Sequence, residues 1–228
     1  MMFFTVSAPQ GKSRCWLWLE CTLLFGAVPL LLFYLHQGWV LPFLWLAGLG
    51  CGLLLWLDPS FDRANLWRGR ALRQAGWRLY GLVLAAALGF SLILALYAPQ
   101  LLFSLPRQRP ALWLMVMLLY PVLSVYPQKL IYRTFFFHRY QALFSTDQSR
   151  IVASALSFGF MHIIFHNWIA VLLTCIGGLL FARSYAYSRS TALAAWEHAL
   201  YGCLLFTVGL GRFFYSGGLA DIPAFLRF

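Results

Sequence analysis

Ionisable side chains inside long apolar stretches are the first candidates for chemistry in this sequence. Groups of this kind are costly at membrane depth, so those found there are candidates for function. The main candidates in three separate apolar stretches are Lys129, Arg133, His162, Glu197 and His198, with the neutral amide of Gln128 beside Lys129. Their side chains donate or accept hydrogen bonds, and their depths along the three stretches overlap. We therefore expect them to meet in one site.

The charges within this set need partners. Lys129 and Arg133 are four residues apart, so they share a helix face and repel each other unless an anion lies near them. Glu197 is the carboxylate available in the later apolar stretches, and we expect it to form a buried ion pair with Lys129, with Arg133 as the alternative partner. Such a pair can also be purely structural. Neighbouring helical residues point about 100° apart, so Glu197 and His198 are not expected to face one point squarely.

A metal pair is another possibility for the histidines. His162 and His166 are four residues apart in the segment HIIFHN, which places both rings on one side of a helix. Imidazole is a common zinc ligand, but no carboxylate ligand has an obvious spacing to them. We therefore expect no metal or cofactor, and we interpret His166 as a residue at a helix end beside Asn167.

The composition defines the class of protein that must position these residues. Hydrophobic residues make up 62% of the 228 residues, and charged residues only 10%, whereas a soluble domain has about 25% charged residues. This excludes an ordinary soluble enzyme, a disordered chain and a disulfide scaffold. The sequence predicts an all-α, polytopic membrane protein that forms a single membrane domain over residues 1–228.

Seven apolar stretches have roughly the length of a membrane span. They are Trp16–Leu35, Trp39–Leu57, Leu79–Tyr97, Ala111–Tyr132, Ile151–Phe165, Trp168–Ala182 and Ala192–Leu210. The fifth and sixth are short and nearly continuous, which predicts a tight helical hairpin or helices that end inside the protein. The fourth contains Pro121 and Pro127, so we expect a kink or a break near Pro127. Glu20, in the first span, is expected to snorkel or to pair with a nearby arginine.

The basic residues indicate the orientation. With the N-terminus inside, eleven lie on the inner side: Lys12, Arg14, Arg63, Arg68, Arg70, Arg73, Arg78, Arg139, Arg150, Arg183 and Arg189. Four lie outside: Arg107, Arg109, Arg212 and Arg227. This distribution follows the positive-inside rule. It also explains the net charge of +11 without nucleic acid, and the basic loop 63–78 is expected to contact anionic lipid headgroups.

Three segments resemble the motifs of the CPBP family (also called the Abi family), intramembrane proteases that include the CAAX prenyl endopeptidases. That family carries EExxxR, FxxxH, and HxxxN or HxxxD on successive membrane helices. The corresponding segments here are QKLIYR at 128–133, FGFMH at 158–162 and HALYG at 198–202. Their order and separation fit over a core of residues 111–210, and the local sequence is similar to a bacterial branch.

The resemblance implies a glutamic-type mechanism, in which a glutamate and a histidine activate water and further polar groups stabilise the oxyanion. It assigns roles here to Arg133, His162 and His198, which we expect to line one cavity. Gln128 and Lys129 replace both glutamates, and Gly202 replaces the Asn or Asp of the third motif. Glutamine cannot act as a general base, and lysine can do so only with a strongly lowered pKa.

We therefore expect an intramembrane endopeptidase-like protein whose activity is weakened or lost, and in which Glu197 is a possible substitute carboxylate. Its expected partners are membrane lipids and a membrane-associated peptide or protein substrate, and its expected location is a bacterial inner membrane. Two alternatives are a non-catalytic binding or partner protein with the family fold, and a metal-dependent membrane hydrolase that uses His162, His166 and His198.

Overall fold

The computed structural model describes residues 13–35, 37–73, 76–215 and Arg227. Lys12, counted above among the inner basic residues, lies outside these ranges. The described residues are helical and contain no strand, apart from one isolated bridge between Asn167 and Arg227. The predicted all-α fold class is confirmed.

The helices are named here in chain order, and π-helical turns are included in the helix that contains them. They are α1 Arg14–Tyr34, α2 Val40–Leu57, α3 Gly69–Arg73, α4 Gly76–Tyr97, α5 Ser104–Gln108, α6 Pro110–Arg139, α7 Asp147–Met161, α8 Trp168–Ser188 and α9 Thr191–Val208. Short 3-10 turns connect several of them.

Five helices of the described chain are long and apolar enough to cross a membrane: α1, α2, α4, α6 and α8. The protein is therefore a multi-pass membrane protein. Helix α7 has only 15 residues, and α9 carries Glu197 and His198 in its middle. The count of seven spans and the inner position of the N-terminus stay predictions.

Helix α6 carries the first motif and is longer than predicted. It runs for 30 residues, about 45 Å, against a hydrocarbon core of about 30 Å. A break near Pro127 does not occur, because helical structure continues from Pro110 to Arg139. Two π-helical turns, Pro121–Val125 and Leu130–Phe135, interrupt the α-helical pattern instead. Such turns accommodate backbone groups left without a partner when proline supplies no donor.

Helices α7 and α8 form the predicted tight hairpin. Helix α7 ends in a 3-10 turn, His162–Phe165, and His166 then adopts a left-handed conformation with φ 53°. Asn167 starts α8, since its Oδ1 accepts a hydrogen bond of 2.8 Å from the Ala170 amide. The two helices touch closely at Gly178, where an added Cβ would lie 3.0 Å from the Ala155 carbonyl oxygen.

Polar pairs attach the first two spans to the end of α6. Arg139 donates two hydrogen bonds to the Glu20 carboxylate, at 2.9 and 2.8 Å, so the expected arginine partner of Glu20 is present. His138 Nε2 lies 2.9 Å from Asp58 Oδ2 just beyond α2. Helix α9 packs against α4, α6 and α8, and it therefore holds the third motif beside the other two.

Candidate active site

A cavity of about 860 Å³ is bounded mainly by α1, α2, α6, α8 and α9 and by the turn after α7. We call it the histidine cavity, because His162 and His198 both contribute to its wall. Its lining is mostly apolar, and Gln128 and Tyr120 are among its polar members. Pockets of roughly 300–1,000 Å³ with a few polar groups are typical of ligand sites. None of the described residues that line it is an aspartate or a glutamate.

His162 has a tautomer fixed by the end of its own helix. Its Nδ1 lies 2.7 Å from the carbonyl oxygen of Phe158. A carbonyl oxygen only accepts, so Nδ1 carries the hydrogen and donates it. In the neutral imidazole, Nε2 then keeps its lone pair, and this is the atom of His162 that can accept a proton.

His198 is held between aromatic rings. Its ring stacks on Phe181 with centroids 4.8 Å apart and meets the edge of Phe158 at 5.5 Å. Its Nε2 lies 3.0 Å from the Tyr120 hydroxyl. Phe158 also touches His162, at 4.7 Å between ring centroids. The second-motif phenylalanine therefore separates the two histidines and fixes both rings.

Tyr120 is a site residue that the sequence interpretation missed. A Cβ at position 202 would overlap its ring and would lie 2.5 Å from its hydroxyl oxygen. Gly202 therefore leaves the space that the tyrosine occupies. The position that carries an Asn or Asp side chain in the family motif is filled here by a phenol from another helix. Tyr120 lies 78 residues before His198, and no local pattern in the sequence marks it.

Lys129 is buried beneath aromatic rings and forms no ion pair. Its Nζ lies 4.0 Å from the centroid of the Phe158 ring and 4.3 Å from that of Phe181. Aromatic faces stabilise an ammonium group in this geometry. Within the described chain, Nζ has no hydrogen-bond partner. The predicted ion pair with Glu197 is therefore wrong, although their charges are close enough to interact.

Glu197 points away from the histidines. Its side chain lines a different cavity, as the angle between neighbouring helical residues requires. Glu197 therefore does not supply the missing carboxylate to the histidine cavity.

Arg133 connects helices instead of lining the cavity. Its Nη1 donates to the carbonyl oxygens of Tyr132 and Ser154, at 3.0 and 3.1 Å, and to the Ser154 hydroxyl. Its Nη2 donates to the Gly178 carbonyl oxygen at 3.1 Å. The side chain is fully buried. The expectation that Arg133 shares a cavity with both histidines is wrong, because backbone carbonyls of α6, α7 and α8 hold its guanidinium.

Gln128 lines the cavity, and its Nε2 donates to Ser124 Oγ at 2.7 Å. Its Oε1 is buried, with no partner among the residues described. The amide therefore offers a free acceptor beside the histidines, but it cannot take up a proton.

The alternative of a metal site formed by His162, His166 and His198 is wrong, because the three side chains do not share one cavity. His166 packs against Phe33 with the two rings tilted and their centroids 4.2 Å apart, and it does not contribute to the cavity that His162 and His198 line. In the described ranges, no group of three or more His, Cys, Asp or Glu side chains is arranged to hold a metal ion.

Comparison with known proteins agrees with the motifs. Residues 108–204 match the family model described as Rce1-like, type II CAAX prenyl endopeptidase. No curated protein and no solved structure matches the chain. The matched segment contains all three motifs and both histidines of the cavity. This segment of the chain is therefore similar to the type II CAAX prenyl endopeptidases.

Proposed function

We propose that the histidine cavity binds a membrane-associated peptide or protein, and that hydrolysis of this substrate is weak or lost. The family match supports an intramembrane endopeptidase-like protein. One observation supports the reduced activity: none of the described residues lining the cavity is a carboxylate. A glutamic-type enzyme needs such a group to activate water.

The shape of the cavity supports a peptide ligand. Its volume of about 860 Å³ accommodates several side chains, and its apolar walls include Val116, Leu173 and Leu205. An apolar segment of a membrane-associated chain would bury its side chains against these walls. The polar groups of its backbone would face Gln128 and the two histidines. Burial of apolar area is the main favourable term for such binding.

The remaining polar groups can support a slow reaction. In this scheme, His162 Nε2 accepts a proton from water while the water oxygen attacks the peptide carbonyl carbon. The hydrogen-bonded Tyr120 and His198 pair donates to the oxyanion that forms. The protonated His162 then delivers its proton to the leaving nitrogen as the carbon–nitrogen bond breaks.

The non-catalytic alternative rests on Lys129. A lysine buried beneath two aromatic rings takes the place of the second glutamate of the family motif and brings no base into the cavity. In this case the protein keeps the fold as a binding module for a membrane peptide or a partner protein. The same cavity serves both functions, and only product formation separates them.

The binding step can be tested with a photoreactive apolar peptide, in farnesylated and unmodified forms, and the full chain in nanodiscs. We expect crosslinks on residues of the histidine cavity and their loss in Val116→Trp, which fills the cavity. Leu118→Trp is the matched control, because Leu118 lies on the same helix, is 73% exposed and does not line the cavity. Equal crosslinking in both variants would contradict the proposal. Mass spectrometry of the same samples reports any cleavage.

The membrane in question is proposed to be a bacterial inner membrane. The apolar helices and the family match support a multi-pass membrane protein, and the proposed inner membrane follows from the similarity of the local sequence to a bacterial branch.

A further inference from the structure

A second cavity of about 770 Å³ lies among α3, α4, α8 and α9. Four arginines contribute to its wall, and we call them the arginine rim: Arg68, Arg70, Arg78 and Arg183. Hydroxyl groups of Ser184 and Ser188 lie beside them. The cavity is distinct from the histidine cavity in its chemistry, because it combines several cations with hydroxyl donors.

Most of the positive charge of the arginine rim has no protein counter-ion. Arg68 pairs with Asp62. In the described part of the chain, no carboxylate forms an ion pair with Arg70, Arg78 or Arg183. The Arg183 guanidinium lies over the Tyr187 ring, 5.4 Å from its centroid, and its side chain is exposed. The rim therefore offers guanidinium groups that a ligand can reach.

Glu197 also lines this cavity, but a single carboxylate does not cancel the charge of four arginines. It lies six residues beyond the start of α9, about 9 Å along the helix at 1.5 Å per residue. Its Oε2 is buried with no hydrogen-bond partner among the described residues, and the carboxylate is close enough to interact with the charges of Lys129 and Arg133. Arg78 lies closer to the end of its helix, because it is in the first turn of α4. In the described chain Glu197 forms no ion pair with an arginine of the rim, and the rim keeps a net positive charge.

Four leucines form an apolar part of the cavity wall. Leu79, Leu82, Leu180 and Leu193 contribute to it from three helices. A free inorganic anion would leave these leucines without a partner, whereas a lipid would place acyl chains against them. The rim also lies on the side where the basic residues predict the inner leaflet, and anionic lipids are concentrated in that leaflet.

We propose that this cavity binds the headgroup of an anionic phospholipid. The phosphate contacts guanidinium groups of the arginine rim, with Arg78 and Arg183 as the principal donors, and the acyl chains lie along the leucines. Guanidinium matches phosphate in bidentate geometry, so arginine is the suited residue. The site does not depend on peptidase activity, because its residues are separate from the histidines.

The test measures binding of labelled phosphatidylglycerol and phosphatidylcholine to the delipidated full chain in detergent. We expect phosphatidylglycerol to bind at least tenfold more tightly, and Arg78→Gln/Arg183→Gln to remove this preference. Arg14→Gln/Arg109→Gln is the matched control, since both arginines are exposed and lie outside the cavity. Leu82→Trp keeps every charge and fills the apolar wall, so it should weaken binding of the labelled lipid as well.

Three results would overturn the proposal. The first is equal affinity for the two lipids, and the second is an equal loss of affinity in the control double variant. The third is displacement of the labelled lipid by inorganic phosphate at concentrations similar to those of phosphatidylglycerol, which would show a phosphate site instead of a lipid site. Binding is read directly, so a protein without any peptidase activity can still confirm the lipid site.

Discussion

The hydroxyl of Tyr120 lies 3.0 Å from His198 Nε2 and occupies the space that any side chain at position 202 would need. Two departures from the family pattern are therefore related. Gly202 removes a polar side chain one turn from His198, and Tyr120 brings a hydroxyl group to the histidine from α6. A phenol can donate a hydrogen bond as an amide does, so the donor beside His198 is kept although the third motif has lost it.

Tyr120→Phe should remove this hydrogen bond and leave the packing intact. In a background with measurable hydrolysis, such as Lys129→Glu, we expect kcat to fall roughly tenfold to a hundredfold with little change in KM, because the donor acts on the developing oxyanion. The thermal midpoint should change little. A rise in KM with kcat unchanged would contradict this role for Tyr120.

Gly202→Asn restores the family residue but should destabilise the protein. The new side chain overlaps Tyr120, and such overpacking costs about 1–3 kcal/mol. Tyr120→Ala in the same chain removes the obstacle and should restore most of the thermal midpoint. Thermal unfolding of the single and double variants in detergent measures this coupling. Additive effects of the two changes would show that the two positions do not compete for space.

Arg133→Met should destabilise the fold by several kcal/mol, because it leaves the Ser154 and Gly178 carbonyl oxygens without their donor. Buried acceptors that lose a charged partner cost about 1–3 kcal/mol each. Arg109→Met is the control, since Arg109 is exposed. The measurement is the thermal midpoint of each variant. A stable Arg133→Met protein that has lost only peptide binding would place Arg133 at the cavity after all.

Asp58 should make stability depend on acid pH. Burial opposes the charged form, but hydrogen bonds from Ser60 and His138 outweigh it and hold the pKa of Asp58 below its usual value. A lowered folded-state pKa gives stability that is present above the unfolded value of about 3.9 and is lost as pH falls through the folded value. The thermal midpoint of Asp58→Asn should therefore fall less below about pH 4 than that of the unchanged protein. Asp147→Asn serves for comparison, because the Asp147 side chain is 61% exposed and its ion pair with Arg150 is longer, at 3.4 Å.

The bounds of two membrane helices could be predicted closely from the apolar runs in the sequence. Trp39–Leu57 and Leu79–Tyr97 differ by only one and three residues at their starts from α2 and α4, because a run of apolar residues bounded by polar ones leaves little choice of register. The tight hairpin between α7 and α8 also follows, since only two residues separate its apolar halves. The order of the motifs was sufficient to predict that His162 and His198 line one cavity, and they do.

The directions of the charged side chains did not follow from the sequence. Spacing places Lys129 and Arg133 on one face of an α-helix, but the π-helical turn Leu130–Phe135 changes the angle between successive residues there. Lys129 then meets aromatic rings, and Arg133 meets carbonyl oxygens of the hairpin. Both partners belong to other helices, so they depend on packing that no local pattern specifies.

Replacement of Lys129 tests most directly whether this residue suppresses hydrolysis. Peptide cleavage by the unchanged protein, Lys129→Glu and Lys129→Met is compared in nanodiscs with a farnesylated and an unmodified apolar peptide. Lys129→Met is the matched control, because it fills the same space between Phe158 and Phe181 without a charge or a base. We expect Lys129→Glu to create or strongly raise cleavage, Lys129→Met to show none, and His162→Ala in the Lys129→Glu chain to abolish it. Robust cleavage by the unchanged protein that Lys129→Met leaves intact would show that Lys129 does not suppress hydrolysis.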